Sequence, residues 1–321
     1  MLDEKDKIIF ENLLHNCRTS IKHLSKLVNL SEPTIIHRIN KLEKKEYISK
    51  YDAILNYNKI SQKLQFILLK IPKKKEKEFD QILLKNKNII SIYHIINKYN
   101  YLIVINTENI NKFQTKYSEY IIQLKNYQFN KIDFFPFSIF DIPIKYKPKL
   151  AKKQPQTTKP IKFDKIDIKL IKHLTNGGGK DSILEISKKL KINYDIILYR
   201  FKKLKKENLF PLFITQPNIK HFPLQIDFLI LNTKNITHNE VLEKIKILKK
   251  FIYLIKINEN KYLTQIYSLS YKEYKITLEK IWQNFSEKLI DIEIYTTKEW
   301  ILLNRFNFKT LKNQTSIKDK N

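Results

Sequence analysis

The 321-residue sequence predicts an α+β fold in which two copies of a winged helix-turn-helix are each followed by a ferredoxin-like βαββαβ domain. Three observations lead to this prediction. The chain contains an internal repeat. Each copy opens with three short segments of helical periodicity, and each continues with strand and helix patterns in the order β-α-β-β-α-β.

The repeat appears as two pairs of similar segments. LDEKDKIIFENLL at 2–14 resembles FDKIDIKLIKHLT at 163–175, an offset of 161 residues. Further on, LSKLVNL at 24–30 matches ISKKLKI at 186–192, an offset of 162 residues. The extra residue falls in the loop NGGGKD at 176–181, and loops tolerate insertions. The chain is therefore predicted to contain two copies of one unit of about 150 residues.

The first copy opens with three short helices. Asp3, Ser20 and Ser31 each precede an apolar segment of helical period. They are expected to cap it, because their side-chain oxygens accept hydrogen bonds from the first turn. Pro33 is compatible with the first turn of the third helix, and VNL at 28–30 predicts a tight turn before it. Three short helices with such a turn are typical of a helix-turn-helix.

The third helix, at 31–45, is predicted to bury one face and to expose a basic one. Ile35, Ile39 and Leu42 fall on one side at helical spacing. The other side and its borders carry hydrogen-bond donors, which is the arrangement that a DNA recognition helix needs. A solvated basic face on an ordinary helix would give the same pattern. The donors are Thr34, His37, Arg38, Lys41, Lys44 and Lys45.

Strand patterns follow the three helices. Alternating apolar residues in EYISKYDAILNYNKI at 46–60 predict a short hairpin, which would be the wing. The last predicted strand, 131–140, is placed at a sheet edge because Pro136 has no backbone N–H to donate. The other predicted strands of the βαββαβ segment are 64–71, 89–96 and 101–107, and its predicted helices are 74–86 and 108–124.

The second copy repeats this plan with a different outward face on its third helix. NYDIILYRFKKLKKEN at 193–208 has Ile196 at the position of Thr34 and Tyr199 at the position of His37. These changes remove donors that base recognition needs, so the second copy is expected to contact mainly the DNA backbone. The basic residues expected to do so are Arg200, Lys202, Lys203 and Lys206.

The domain boundaries follow from these patterns. Residues 145–162 hold three prolines, many lysines and no apolar period, so they predict an extended linker. The wing segment of the second copy, FPLFITQPN, is degraded. The predicted domains are a winged helix-turn-helix at 1–60, a βαββαβ domain at 61–144, the linker at 145–162, a divergent winged helix-turn-helix at 163–219, a second βαββαβ domain at 220–308 and a basic tail at 309–321.

The composition favours a polyanionic partner. The chain has 61 Lys+Arg against 32 Asp+Glu, a formal net charge of +29, although the dominance of lysine is also what an AT-rich genome produces. Cys17 is the only cysteine and the seven histidines show no metal-ligand spacing, so no metal, cofactor or catalytic residue is predicted. No apolar run is long enough to span a membrane, so a cytoplasmic protein with no membrane partner is expected.

The motifs of the first copy resemble those of the Lrp/AsnC family of transcription regulators. LSKLVNLSEPTIIHRINKLE resembles the family's core LS-x-x-x-x-LS-x-x-T-x-x-x-R-I-x-x-LE, and YISKYDAILN resembles its wing. The resemblance implies a sequence-specific regulator that binds double-stranded DNA. Thr34, His37 and Lys41 are then expected to face the bases. The residues expected to contact phosphates are Arg38, Lys44 and Lys45.

The same resemblance implies that the βαββαβ domains pair, within one chain or between chains, and respond to a small-molecule effector. Members that bind amino acids carry a Gly-Asp-Tyr-Asp-like turn, whose glycine lets the backbone approach the ligand. Here the turn is Asn97-Lys98-Tyr99-Asn100, and the missing glycine argues against such a backbone cradle. The effector contacts that the resemblance implies are Asn97, Tyr99 and Asn100.

Two other functions fit this architecture. Siroheme decarboxylases resemble it too, and HIINKYNYLIVI at 94–105 is similar to the strand-turn-strand that lines their tetrapyrrole site. A structural or solvent-facing role is nevertheless expected for His94. The second alternative is an architectural protein that binds DNA by charge without a sequence preference. Visible absorption after adding siroheme, or equal affinity for all DNA sequences, would identify these alternatives.

Overall fold

The chain forms two compact units, and each unit contains elements of both sequence copies. The first unit holds both helix-turn-helix segments, and the second holds both βαββαβ segments. Nearly all of the predicted linker, 145–162, and all of the predicted tail, 309–321, lie outside the described residues. The computed structural model describes residues 2–60, 63–129, 131–135, 138–140, 161–222, 224–248 and 250–302.

The order of helices and strands confirms the predicted fold class in both copies. The helices are α1 Glu4–His15, α2 Ile21–Val28, α3 Glu32–Lys44, α4 Glu76–Lys85, α5 Ile110–Lys116, α6 Lys165–Leu174, α7 Ile183–Leu190, α8 Tyr194–Lys206, α9 His238–Lys246 and α10 Tyr271–Phe285. The strands are β1 Ile48–Ile54, β2 Leu64–Lys70, β3 Ile89–Ile96, β4 Tyr101–Asn106, β5 Gln123–Gln128, β6 Lys131–Phe134, β7 Leu212–Pro217, β8 Gln225–Thr233, β9 Phe251–Asn258, β10 Lys261–Ser268 and β11 Leu289–Leu302.

Side-chain caps start the three helices of the first copy, as predicted. Asp3 accepts a hydrogen bond from the backbone N–H of Asp6 at 2.7 Å, and Ser31 accepts one from Thr34 at 3.3 Å. Ser20 caps α2 in the same way. The buried residues of α3 are Ile35, Ile39 and Leu42, which confirms the predicted apolar stripe.

The repeat is also visible in the backbone. Asn29 and Lys191, which end α2 and α7, have left-handed φ values of 51° and 53°. Glu46 and Asn208, which follow α3 and α8, have φ values of 57° and 56°. Both pairs are 162 residues apart in the sequence. The two copies therefore end their second and third helices with the same geometry, although only asparagine tolerates it well.

The predicted wing hairpin is wrong. The segment 46–60 contains one strand, β1, followed by a short 3-10 helix at Tyr57–Lys59, and β1 pairs antiparallel with β7 of the second copy, with Tyr51 opposite Thr215. The strand partner thus comes from the segment that looked like a degraded wing. The alternating pattern fixes the strand and its faces but carries no information about which strand satisfies its backbone hydrogen bonds.

The glycine loop at 176–181 packs against β1. The Gly179 N–H donates to the carbonyl oxygen of Tyr51 at 2.9 Å, and the Gly177 N–H donates to Oδ1 of Asp52 at 2.8 Å. A Cβ atom on Gly179 would lie 2.7 Å from the carbonyl carbon of Asp52, so a side chain has no room there. The extra residue of the second copy therefore belongs to a loop that holds the two helix-turn-helix segments together.

In the second unit, the βαββαβ segments of the two copies join in one nine-stranded sheet. The strand order is β5-β2-β4-β3-β11-β8-β10-β9-β6. Strand β11 is 14 residues long and pairs with both copies: Ile292 lies opposite Leu231 of β8, and Thr297 lies opposite Ile95 of β3. The resemblance left open whether the βαββαβ domains pair within one chain or between chains. The structure shows the pairing within one chain.

Aromatic side chains pack between the two copies within this unit. The ring centroids of Phe66 in β2 and Phe228 in β8 are 5.8 Å apart, and Tyr93 of β3 contacts Phe228 edge-on at 4.8 Å. All three side chains are buried. The two βαββαβ segments therefore share a core in addition to backbone hydrogen bonds.

Two predicted elements of the first βαββαβ segment differ from the structure. The predicted helix 108–124 ends at Lys116, and β5, Gln123–Gln128, pairs with β2 as the fourth strand of this copy. The predicted last strand, 131–140, is the short β6, which lies beside β9 of the second copy. Strand pairing with β2 outweighs the local helical period here. Residues 136 and 137 of that prediction lie outside the described residues.

Candidate nucleic-acid interface

The outward face of α3 carries the predicted donors. His37, Lys41, Lys44 and Lys45 are exposed. Thr34 is half-buried, and its hydroxyl lies 2.7 Å from the Ser31 hydroxyl that caps the helix. Because the opposite stripe is buried in the domain, α3 presents these side chains to solvent from a fixed helix.

Arg38 has a structural role that the sequence analysis did not predict. One guanidinium nitrogen, Nη1, donates to Oδ2 of Asp3 and to Oδ1 of Asp6, both at 2.6 Å. The Asp6 side chain is only 1% exposed, and Nζ of Lys41 lies 3.7 Å from its other oxygen. The hydrogen bond from Arg38 lowers the pKa of Asp3 below its usual value. Arg38 therefore ties α3 to the start of α1.

The second copy repeats this ion-pair cluster. Nη1 of Arg200 lies 2.6 Å from Oδ2 of Asp164 and 3.5 Å from Oδ2 of Asp167. Burial raises the pKa of Asp167 in this environment. The sequence contains a pattern that could have predicted these ion pairs, because both copies have two aspartates three residues apart and an arginine further along the chain. Their recurrence is explained by packing within each helix-turn-helix.

The outward face of α8 differs from that of α3. Lys202 and Lys206 are exposed and Lys203 is half-buried, so the predicted backbone contacts face solvent at least in part. Beside them, Ile196 is 42% exposed and Tyr199 is 64% exposed. The second helix therefore combines a basic surface with apolar side chains at the positions of Thr34 and His37, whereas the exposed apolar side chain of α3 is Ile36, at 48%.

The predicted effector residues are bonded within the second unit. The side chain of Asn100 accepts a hydrogen bond from Ile71 N–H at 2.8 Å and donates to Oε1 of Glu76 at 2.6 Å. Asn97 donates from Nδ2 to the carbonyl oxygen of Ile294 at 2.6 Å, and Tyr99 is buried. None of residues 97–100 has a positive φ. The turn thus uses its polar side chains to connect strands.

His94 lies at the junction of the two βαββαβ segments. Its Nδ1 is 2.8 Å from Oε1 of Glu299 in β11, and its Nε2 is 3.0 Å from Oδ1 of Asp80 in α4. The Tyr101 hydroxyl donates to the same Asp80 oxygen at 2.8 Å. The side chain is buried and partnered on both nitrogens, as a structural histidine is.

In the part of the chain that the structure describes, no group of three or more His, Cys, Asp or Glu side chains could hold a metal ion. None of the described helices is long and apolar enough to cross a membrane.

Known proteins resemble the first helix-turn-helix and a larger part of the chain. A family of winged helix-turn-helix DNA-binding domains matches residues 2–49. An uncharacterized HTH-type transcriptional regulator of Pyrococcus abyssi is 33% identical over 117 residues, which is 35% of this chain and 80% of that protein. The HTH-type transcriptional regulator FL11 of Pyrococcus furiosus is 32% identical over 110 residues, 34% of this chain and 73% of that protein.

The chain belongs to the Lrp/AsnC family of transcription regulators. Each of the two relatives matches about a third of this Lrp/AsnC regulator. A solved structure matches the whole length: the siroheme decarboxylase NirDL aligns with a TM-score of 0.60 and 11% identity, covering 97% of this chain and 98% of that chain. At that identity, the likeness concerns the fold.

Proposed function

We propose that this chain regulates transcription by sequence-specific binding of double-stranded DNA, with α3 in the major groove. The observation that carries the proposal is the outward face of α3, where exposed donors sit on a capped helix whose other face is buried. Such a helix can place hydrogen-bond donors against base edges while its domain contacts the backbone.

The roles proposed for the α3 residues follow from the geometry of that face. Thr34, His37 and Lys41 would contact bases, since hydroxyl, imidazole and ammonium groups complement the acceptors of the major groove. Lys44 and Lys45 would contact phosphates. Arg38 uses Nη1 for its two aspartates and keeps Nη2 and Nε, so a phosphate contact by Arg38 is compatible with its structural role.

The second helix-turn-helix would add affinity without base recognition. Arg200, Lys202, Lys203 and Lys206 offer positive charge to phosphates, whereas Ile196 and Tyr199 replace the donors of α3. Pairing of β1 with β7 places both helix-turn-helix segments in one unit. Binding of the first segment to a DNA duplex would therefore raise the local concentration of the second segment at the same duplex.

A salt series with selected and random duplexes tests this proposal. The affinity should fall steeply with salt, by about 0.9 in log–log slope for each phosphate neutralised. We expect Lys41→Ala and His37→Ala to lower the preference for the selected sequence by about 1–3 kcal/mol, and Lys203→Ala to weaken all sequences alike. Equal affinity for every sequence would favour the architectural alternative, and no binding at moderate salt would refute both.

An enzymatic function is the second candidate, because the chain shares its fold with a siroheme decarboxylase over nearly its full length. A tetrapyrrole bound in the protein would show a shifted visible absorption band when siroheme is added. Saturable binding of siroheme with a change in its spectrum would support the enzyme. An unchanged spectrum together with sequence-specific DNA binding would reject it.

The effector contacts at Asn97, Tyr99 and Asn100, association between chains and a cytoplasmic location stay predictions. Calorimetric titration with amino acids tests effector binding directly. Asn97→Ala is the better variant for this test, because Asn100 also connects β2 to α4 and its loss would disturb the fold.

A further inference from the structure

We propose that the outward face of the second helix-turn-helix docks an acidic amphipathic segment of a partner protein. The docking face is centred on Ile196 and Tyr199, which are two of the four large apolar or aromatic side chains that α7 and α8 expose. Ile196 and Tyr199 are three residues apart on α8 and are therefore neighbours on one face. The four side chains are Leu184, Tyr194, Ile196 and Tyr199, with exposed fractions of 52%, 43%, 42% and 64%.

The first copy provides an internal control for this face. At the same four positions it has the polar or charged residues Lys22, Glu32, Thr34 and His37. All four positions change in the same direction, while the buried stripe of the third helix stays apolar in both copies. α3 also exposes an apolar side chain, Ile36 at 48%, but at the position of the half-buried Leu198 and not at the positions of Ile196 and Tyr199.

The apolar side chains of the docking face do not belong to the core of their domain. The buried residues of α8 are Ile197, Phe201 and Leu204, which lie on its inner side. Ile196 and Tyr199 point away from that core and leave apolar area in water. Covering this apolar area removes it from water, which favours binding of a complementary surface.

The positive charge around the docking face favours an acidic partner. Residues 183–206 carry seven lysines and one arginine against two acidic residues, and Lys188, Lys189, Lys202 and Lys206 are exposed. A second copy of this chain, with its net charge of +29, would be repelled from this rim. Acidic side chains flanking an apolar stripe would complement both the rim and the centre.

A protein segment fits the docking face better than duplex DNA does. In the major groove the main apolar group is the thymine methyl, which is too small to cover an aliphatic and an aromatic side chain such as Ile196 and Tyr199 together. An amphipathic helix presents apolar residues at i, i+3 and i+4 and can cover them together. The inference goes beyond the proposed function and does not depend on it, since the test contains no DNA.

The test uses the full chain and a fluorescein-labelled peptide probe of about 20 residues, helical, with leucines along one stripe and glutamates elsewhere. We expect saturable binding by fluorescence anisotropy. The double variant Ile196→Thr with Tyr199→His gives the second copy the side chains of the first. It should weaken peptide binding by about tenfold or more, as loss of two central apolar contacts does.

Matched controls separate the possible occupants. Thr34→Ala with His37→Ala in the first copy should leave peptide binding unchanged, and the unfolding temperature of every variant should match that of the parent chain. Equal binding of a probe whose leucines are replaced by serine would overturn the proposal, because charge alone would then account for it. It would also be overturned if the double variant bound the peptide as tightly as the parent chain does, or if it abolished self-association.

Discussion

At the scale of single residues, the same arginine occupies the same place in both copies and performs the same structural task. Arg38 and Arg200 each donate to the aspartates that begin the first helix of their copy. The sequence predicts that both reach a phosphate. The structure gives each of them contacts within its own domain, with the aspartates of its first helix.

Replacing Arg38 by alanine should destabilise the first helix-turn-helix by about 2 kcal/mol, because the buried carboxylate of Asp6 would lose its strongest partner. Urea unfolding of the full chain measures this. Arg200→Ala is the matched comparison and should cost less, since its contact with the buried Asp167 is longer, at 3.5 Å. Equal unfolding midpoints for Arg38→Ala and the parent chain would contradict the structural role.

The loss of unfolding free energy caused by Arg38→Ala should become smaller as the pH falls. Arg38 lowers the pKa of Asp3, so the stabilisation is complete above the unfolded pKa of about 3.9 and is lost as the pH falls through the lowered value. The difference in unfolding free energy between the parent and Arg38→Ala should therefore be larger at pH 7 than at pH 3. A difference that grows on acidification would contradict this.

Left-handed residues offer a stability test in which the two copies exchange side chains. Glu46 has φ 57° where the second copy has Asn208 with φ 56°. Glu46→Asn should raise stability by about 0.5–1 kcal/mol, because asparagine tolerates this conformation better than glutamate. Asn208→Glu should lower it by a similar amount. Thermal unfolding measures both, and shifts of the same sign would contradict the prediction.

At the scale of elements, strands and loops of the two copies are built around each other. Strand β1 is paired with β7, and the glycine loop at 176–181 lies against β1. The insertion that distinguishes the copies therefore has a specific place in the first unit. It supplies backbone donors at a distance where only glycine fits.

Gly179→Ala should destabilise the first unit by about 1–3 kcal/mol, because the added methyl group would meet the backbone of Asp52 at under 3 Å. Asn176→Ala, in the same loop and exposed, is the matched control and should be close to neutral. Differential scanning calorimetry compares the two. Equal unfolding temperatures for Gly179→Ala and Asn176→Ala would show that the loop accommodates the methyl group, contrary to the prediction.

At the scale of the whole molecule, the sequence copies are not the structural units. Each unit takes one segment from each copy, so folding of either unit requires both halves of the chain. The contacts that join the two halves of the chain include the β1–β7 pair in one unit and the β3–β11 pair in the other.

Residues 1–150 and 151–321, coexpressed as two chains with a tag on the first, should copurify as a one-to-one complex. Both strand pairs would form between the two chains, and the shared core around Phe228 would be buried in their contact. Light scattering of the purified complex checks its mass. A soluble tagged half that elutes alone would show that the halves fold independently, contrary to the structure.

The sequence by itself determined the features that depend on near neighbours. Caps at Asp3, Ser20 and Ser31, the buried stripe of α3 and the β-α-β-β-α-β order follow from local hydrogen bonding and from periods of 3.6 and 2. Tertiary structure decided the strand partners, the end of the helix at Lys116 and the tasks of Arg38 and Asn100. Those depend on backbone groups and charges far away in sequence, which a local pattern does not specify.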